Sequence, residues 1–232
     1  MATNTLLIPQ MGLKLPVKWG KRYHMVDGFK KGWAKYGKFF KQASETSKIP
    51  VSVLMAFAMV ESGFNPNADT GATTGMMQWN RSKGYADKIL STEFKMGRMS
   101  EKEKEILKRK GVKWDAQGNF APITASQQLD PELNILIGSI YIGQYADSIY
   151  NGRKEDIEWG TDNGVLRLDR IITVYNTGGG AGAGKRARTT EFKTPLQTAN
   201  ALNPVTASYI HKILGTDGAL DVATKEYKDI IA

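Results

Sequence analysis

From Val53 to Trp79 the chain reads VLMAFAMVESGFNPNADTGATTGMMQW, and its first eight positions are apolar without a break. A run with no polar face predicts a buried element. Pro50 suits the first turn of a helix, so this spacing predicts a buried helix that ends near Ser62. Glu61 stands where the run surfaces, Ser62-Gly63 follows it, and a polar loop with Asn65, Pro66, Asn67 and Asp69 leads to Gly75-Met76-Met77-Gln78.

Elsewhere the apolar positions recur with helical period. Phe29, Trp33, Tyr36 and Phe40 fall at i, i+4, i+7 and i+11 within a helix predicted over about 25–46, with lysines 30, 31, 35, 38 and 41 between them. Two roles fit that pattern. One is a basic amphipathic helix for a membrane or nucleic acid. The other, which we favour, is a helix that packs its aromatic stripe on the main domain and leaves its lysines solvated. Ser100 and Glu103 have the spacing of a capping box, and the charged helix that follows should run to Lys110 and stop at Gly111. Asp130 and Pro131 read as N-cap and first helical residue. Leu133, Leu136, Ile137, Ile140 and Tyr141 then form one stripe, in which Gly138 would admit a closely packed helix. Leu168, Ile171, Ile172 and Tyr175 predict a further helix over Val165–Asn176. The expected architecture is mainly α.

The 232 residues suffice for one substantial domain with extensions. Without cysteine, disulfides and thiolate metal sites are excluded, and with only His24 and His211 a histidine-based zinc site is not expected. No stretch approaches a membrane span. The first residues have no basic segment ahead of their apolar patch and do not read as a signal peptide. Charge is concentrated at one end. Residues 1–48 hold ten Lys or Arg against Asp27 and Glu45, a net +8, whereas the other 184 residues hold 22 against 21. This segment should favour polyanions or acidic partners. We divide the chain into a basic arm and amphipathic helix (1–45), a main domain (46–215, with an insertion at about 81–128) and a tail (216–232).

The candidate chemistry centres on Glu61. An acid at the surfacing end of a buried element is half-dehydrated, which disfavours its charged form and prepares it to act as a general acid. A helix-end cap or ion pair is the plainer role for a lone glutamate. The glycine run Gly178–Gly184 with Lys185 nearly fits a phosphate-binding loop. Arg186, however, stands where Ser or Thr must hold magnesium, and no alternation of strands and helices would build the required parallel sheet.

Glu61, Ser62, Phe64, Asn65, Pro66, Ala68, Gly75, Met77 and Gln78 together resemble the signature of the soluble lytic transglycosylase family, which shares its fold with goose-type lysozyme. In the loop, Thr70 stands for the usual Ser, the segment 71–75 differs by about one residue, and Met76 replaces Leu. Three more blocks follow in family order: Asp130-Pro131 through Asn134-Ile135, Gly138 and Tyr141; Tyr175-Asn176-Thr177-Gly178; and Ala207–Leu214 around Tyr209. The resemblance covers about residues 46–215. It implies a lysozyme-like helical domain acting on peptidoglycan at the β-1,4 bond between N-acetylmuramic acid and N-acetylglucosamine, with no cofactor or metal. Glu61 would be catalytic, with Ser62, Met77, Gln78, Tyr175, Asn176 and Tyr209 lining the substrate. The second block would be largely structural, and Trp114 in the insertion is a sugar-stacking candidate.

Alternatives stay open. Glycoside hydrolysis normally uses two carboxylates, and Asp69 is the nearest second one, which would make a hydrolase. Tyr175 and Tyr209 read equally as core tyrosines. A structural virion or tail protein with a degenerate, inactive fold is the rival from another class. A wall enzyme without an export signal needs another way out, by a phage particle or with a leader already removed. The expected location is therefore virion-associated or extracytoplasmic. The expected partners are glycan strands and, through the basic segment, other virion or tail proteins. Nucleic acid and membrane surfaces are the weaker readings of that segment.

Overall fold

The computed structural model describes residues 22–80, 85–150, 161–162, 165–177 and 204–226. The arm ahead of residue 22, the glycine run from Gly178 to Gly184 and the end of the tail lie outside the described residues. The described residues are mostly helical, as expected, and none of their helices is long and apolar enough to cross a membrane. The chain forms two compact units, residues 28–144 in one and residues 1–27 with 145–232 in the other.

In the unit 28–144, helix α1 (Arg22–Ser47) enters at Gly28 and passes through the boundary expected at residue 45. Its aromatic stripe is core: Phe29, Tyr36 and Phe40 are buried, and Trp33 is half-buried. Helix α2 (Val51–Ser62) begins one residue after Pro50, which is the N-cap rather than a first-turn residue. Every side chain of α2 from Ser52 to Ala58 is buried, which an apolar run without a polar face requires. A two-stranded antiparallel hairpin follows, β1 (Thr73–Thr74) with β2 (Trp79–Asn80), in register Thr73 to Asn80 and Thr74 to Trp79.

The expected insertion contains α3 (Tyr85–Lys95), α4 (Glu101–Arg109) and α5 (Ala125–Leu129). Ser100 and Glu103 make both bonds of the capping box, and Gly111 takes the left-handed conformation just past the helix, at φ 72°. Thr124 and Gln127 form a second capping box on α5. Trp114 stacks on Phe120 with ring centroids 5.1 Å apart, and Phe94 closes the cluster at about right angles to Phe120. Helix α6 (Pro131–Tyr150) starts as the sequence predicts, with the Asp130 carboxylate accepting from the Leu133 N–H at 2.9 Å.

In the other unit, a short hairpin joins β3 (Thr161–Asp162) to β4 (Val165–Leu166). The helix expected from Val165 therefore begins only at Leu168, because its first residues pair as a strand. Helix α7 (Leu168–Thr177) packs on α8 (Pro204–Leu214), which packs on α9 (Ala219–Glu226). Their shared core includes Ile171, Ile172, Val174, Ile210 and Ile213.

Candidate active site

Glu61 occupies the last turn of α2 and is half-exposed, after the half-buried Met59 and Val60 that follow the fully buried part of that helix. Two consecutive left-handed residues end the helix there. Gly63 at φ 61° donates its N–H to the Met59 carbonyl at 3.0 Å. Phe64 follows at φ 64°, a conformation that costs a side-chain-bearing residue roughly 1 kcal/mol. Packing of the Phe64 ring offsets that cost. Its centroid lies 5.4 Å from Phe29 and 5.9 Å from Phe40, both edge-on. Gly32 leaves the room for it, since a Cβ there would lie 2.6 Å from the ring. Helix α1 thus fixes the direction in which the chain leaves Glu61.

The loop that follows is closed on itself by neutral polar groups. The Ser62 hydroxyl donates to the Met76 carbonyl at 2.8 Å and lies 3.2 Å from the Ala58 carbonyl. Gln78 is buried, and its amide is engaged at both ends. Nε2 donates to the carbonyls of Gly75 at 2.7 Å and Ala68 at 3.1 Å, and Oε1 accepts from the Thr73 hydroxyl at 2.6 Å. The Asp69 carboxylate is exposed and accepts from the Gly71 N–H at 2.7 Å within its own turn.

The loop is also gripped from α6 by Asn134, whose side chain is wholly buried. Its Oδ1 accepts from the Met77 N–H at 2.7 Å, and its Nδ2 donates to the carbonyls of Thr74 at 3.2 Å and Gln128 at 2.9 Å. Gly75, at φ 75°, is required at this contact: a Cβ would sit 2.1 Å from Asn134 Nδ2. Gly138 serves the same contact. A Cβ there would meet Met77 Cγ at 2.7 Å, so what approaches α6 at Gly138 is the buried Met77 side chain rather than a helix.

Charge locks the start of α6. Lys110 Nζ lies 2.7 Å from Asp130 and 3.0 Å from Glu132, and Arg109 pairs with Glu132. The cations close α4 and the carboxylates open α6, the arrangement that helix dipoles favour. Burial works against the charged form of each carboxylate. The Lys110 hydrogen bond still holds Asp130 below its ordinary range, and Arg109 with Lys110 does so for Glu132.

Glu61, Ser62, Met77 and Gln78 all lie within the unit 28–144, where Ser62 is bonded to the Met76 carbonyl. Tyr175, Asn176 and Tyr209 belong to the other unit. Tyr175 and Tyr209 are buried on α7 and α8, and Asn176 is half-buried near the end of α7. Asn134 carries the loop, yet sequence reasoning gave its block no part in the site. The signal was its place four residues after the Asp130 cap, which ties it to a helix start that faces the loop. Among the described residues, no three His, Cys, Asp or Glu side chains gather as metal donors.

Comparison with known proteins finds a family model that spans this loop. Residues 38–103, which hold Glu61 and the whole loop to Gln78, match the model of the Transglycosylase SLT domain. Among solved structures, the chain is similar to an inactive mutant of the lytic transglycosylase Slt from Pseudomonas aeruginosa, at 17% identity over 85% of this chain and 25% of that one, with a TM-score of 0.48. It is also similar to the 70 kDa soluble lytic transglycosylase of Escherichia coli, at 22% identity over 85% of this chain and 24% of that one, with a TM-score of 0.43. The chain spans about a quarter of the length of either.

Proposed function

We propose that the protein is a peptidoglycan lytic transglycosylase with Glu61 as its sole general acid and base. The observation that carries this reading is the Glu61 turn. A half-exposed carboxyl closes a helix buried from Ser52 to Ala58 and is followed by a loop pinned by Ser62, Gln78 and Asn134, inside the stretch that matches the Transglycosylase SLT domain. Such bracing holds a reacting group in one geometry without reorganisation during the reaction.

Glu61 would give its proton to the bridging oxygen as the bond to the muramyl anomeric carbon breaks. The substrate's own acetamido group would stabilise the cationic centre. The carboxylate left on Glu61 would then take the proton of the muramyl 6-hydroxyl, whose oxygen closes a 1,6-anhydro ring. Glu61 ends as it began, and no water is consumed. The bond from Asp69 to Gly71 supports assigning Asp69 to the turn rather than to the chemistry. Ser62, Met77 and Gln78 would shape the glycan subsite chiefly through the backbone they hold. Action outside the cytoplasm follows from the substrate, and delivery by a phage particle during entry is the route we favour. Mass spectrometry of purified murein incubated with the chain tests the reading. Anhydro-muropeptides released by wild type and not by Glu61→Gln support it. Folded wild type that releases no fragment makes the protein a structural one.

A further inference from the structure

Helix α1 has two faces of opposite character. Its aromatic stripe is buried, whereas Lys30, Lys31, Lys35, Lys38 and Lys41 are exposed. At helical spacing these five lysines fall within one sector of about 140°, with only Ala34 among them, and the stripe is roughly 16 Å long. No acidic residue interrupts it between Asp27 and Glu45. Aromatic rings hold three of the ammonium groups in place: Lys35 lies 5.2 Å from the Tyr36 centroid, Lys38 4.9 Å from Phe39 and Lys41 5.2 Å from Trp33. A ring contact leaves the charge intact and restrains the flexible stem, which lowers the ordering cost of meeting an anion.

The packing discriminates among polyanions. An interfacial membrane helix must bury its apolar face in lipid. Here that face is occupied within the same unit: a Cβ on Gly28 would lie 3.1 Å from Met59, and one on Gly32 would clash with Phe64. Nucleic-acid readers interleave their cations with exposed side chains that stack on bases or hydrogen-bond to them, whereas the exposed positions from 30 to 41 are lysines and Ala34, with Phe39 and Gln42 half-buried beside them. A straight row of ammonium groups on a convex helix fits a flexible chain whose charges repeat along a line. We infer that the lysine face of α1 is a docking strip for a linear phosphodiester polymer of the cell wall, which tethers the unit carrying Glu61 to the layer it cuts. The choice of a wall polymer rests on the proposed function, whereas the strip itself rests on the helix.

The probe is fluorescent poly(glycerol phosphate), with binding to the full chain followed by anisotropy across a salt series. Contacts from Lys30, Lys35, Lys38 and Lys41 predict a log–log salt slope of roughly −3. Lys30→Gln/Lys35→Gln/Lys38→Gln should weaken binding roughly tenfold or more at low salt. The charge-matched variant Lys88→Gln/Lys108→Gln/Lys113→Gln, altered at exposed lysines elsewhere in the same unit, should bind like wild type. Both variants should cleave polymer-stripped murein at the wild-type rate, a readout that separates failure of the strip from failure of the proposed chemistry. Equal weakening in the two variants, or none in either, overturns the inference. So does tighter binding to duplex DNA or anionic lipid vesicles that is lost in the α1 variant.

Discussion

Loop 63–80 and the helix pair α7–α8 both bury polar side chains, but by different chemistry. In the loop the buried groups are neutral amides and hydroxyls, and Gln78 and Asn134 each bridge several strands of backbone. In the helix pair the threonines Thr173 and Thr206 are joined by ionisable groups. Asp169 is buried in a two-pronged contact with Arg167, at 3.1 and 2.8 Å, with Arg170 buried beside it. Burial pushes the Arg170 guanidinium down to about 10, and it lowers His211 below its ordinary range. A neutral network keeps its geometry across a wide pH range, whereas buried ionisable groups make packing conditional on protonation. The region proposed to do the chemistry is thus the one built to be insensitive to pH.

The largest expected effect is that of Glu61→Gln, which keeps size and removes the transferable proton. Murein cleavage should fall by about 10² to 10⁴-fold with an unchanged thermal midpoint. Next is Asn134→Leu, which leaves the Met77 N–H and the Thr74 and Gln128 carbonyls without their partner. It should cost about 3 kcal/mol, given roughly 1–3 kcal/mol for each buried group left unmade. Chemical denaturation measures that loss, and hydrogen exchange should speed up in 73–80. Gly75→Ala should match it, through both the contact with Asn134 and the positive φ.

Acid should separate the two regions. A histidine whose folded pKa is lowered stabilises the fold fully above its ordinary value of 6.5 and loses that contribution as pH falls below it. Asp130 and Glu132, lowered from 3.8 and 4.5, keep their contribution above those values and lose it only as pH falls further, through their folded values. Hydrogen exchange, corrected for its intrinsic pH dependence, should therefore show 204–214 loosening at mildly acidic pH while 131–141 stays protected. His211→Gln should remove the early step. If both regions open together, the contrast fails. The smallest effect is that of Tyr175→Phe. Lower activity at unchanged stability would give its hydroxyl a part in the reaction, and a lower midpoint at unchanged activity would make it core alone.

Much of this was legible because it is local. The unbroken apolar run gave α2, the spacing of Phe29, Trp33, Tyr36 and Phe40 gave the buried face of α1, and Ser100-Glu103 and Asp130-Pro131 marked helix starts. What stayed hidden depends on contacts distant in sequence. Asn134 meets Met77 across 57 residues, and no local pattern distinguishes such an asparagine from a solvated one. Gly138 read as a helix–helix contact because its spacing cannot reveal that Met77 fills the gap. Val165 and Leu166 looked helical because a two-residue hairpin carries too few positions to show a strand period. Thr124-Gln127 has capping-box spacing but introduces only a single turn and a half. Gln78 was legible as a motif residue, but its hydrogen bonds to the loop backbone were not.

The claim that Glu61 acts without a second carboxylate is tested most directly by the fate of water. Murein should be digested in ¹⁸O-labelled water and the new muramyl ends examined by mass spectrometry before and after borohydride. A single acid–base group that turns the substrate's 6-hydroxyl on its own anomeric carbon predicts ends lighter by one water, free of label and resistant to reduction. Ends that carry the label and are reduced by borohydride would contradict it and bring Asp69 into the reaction.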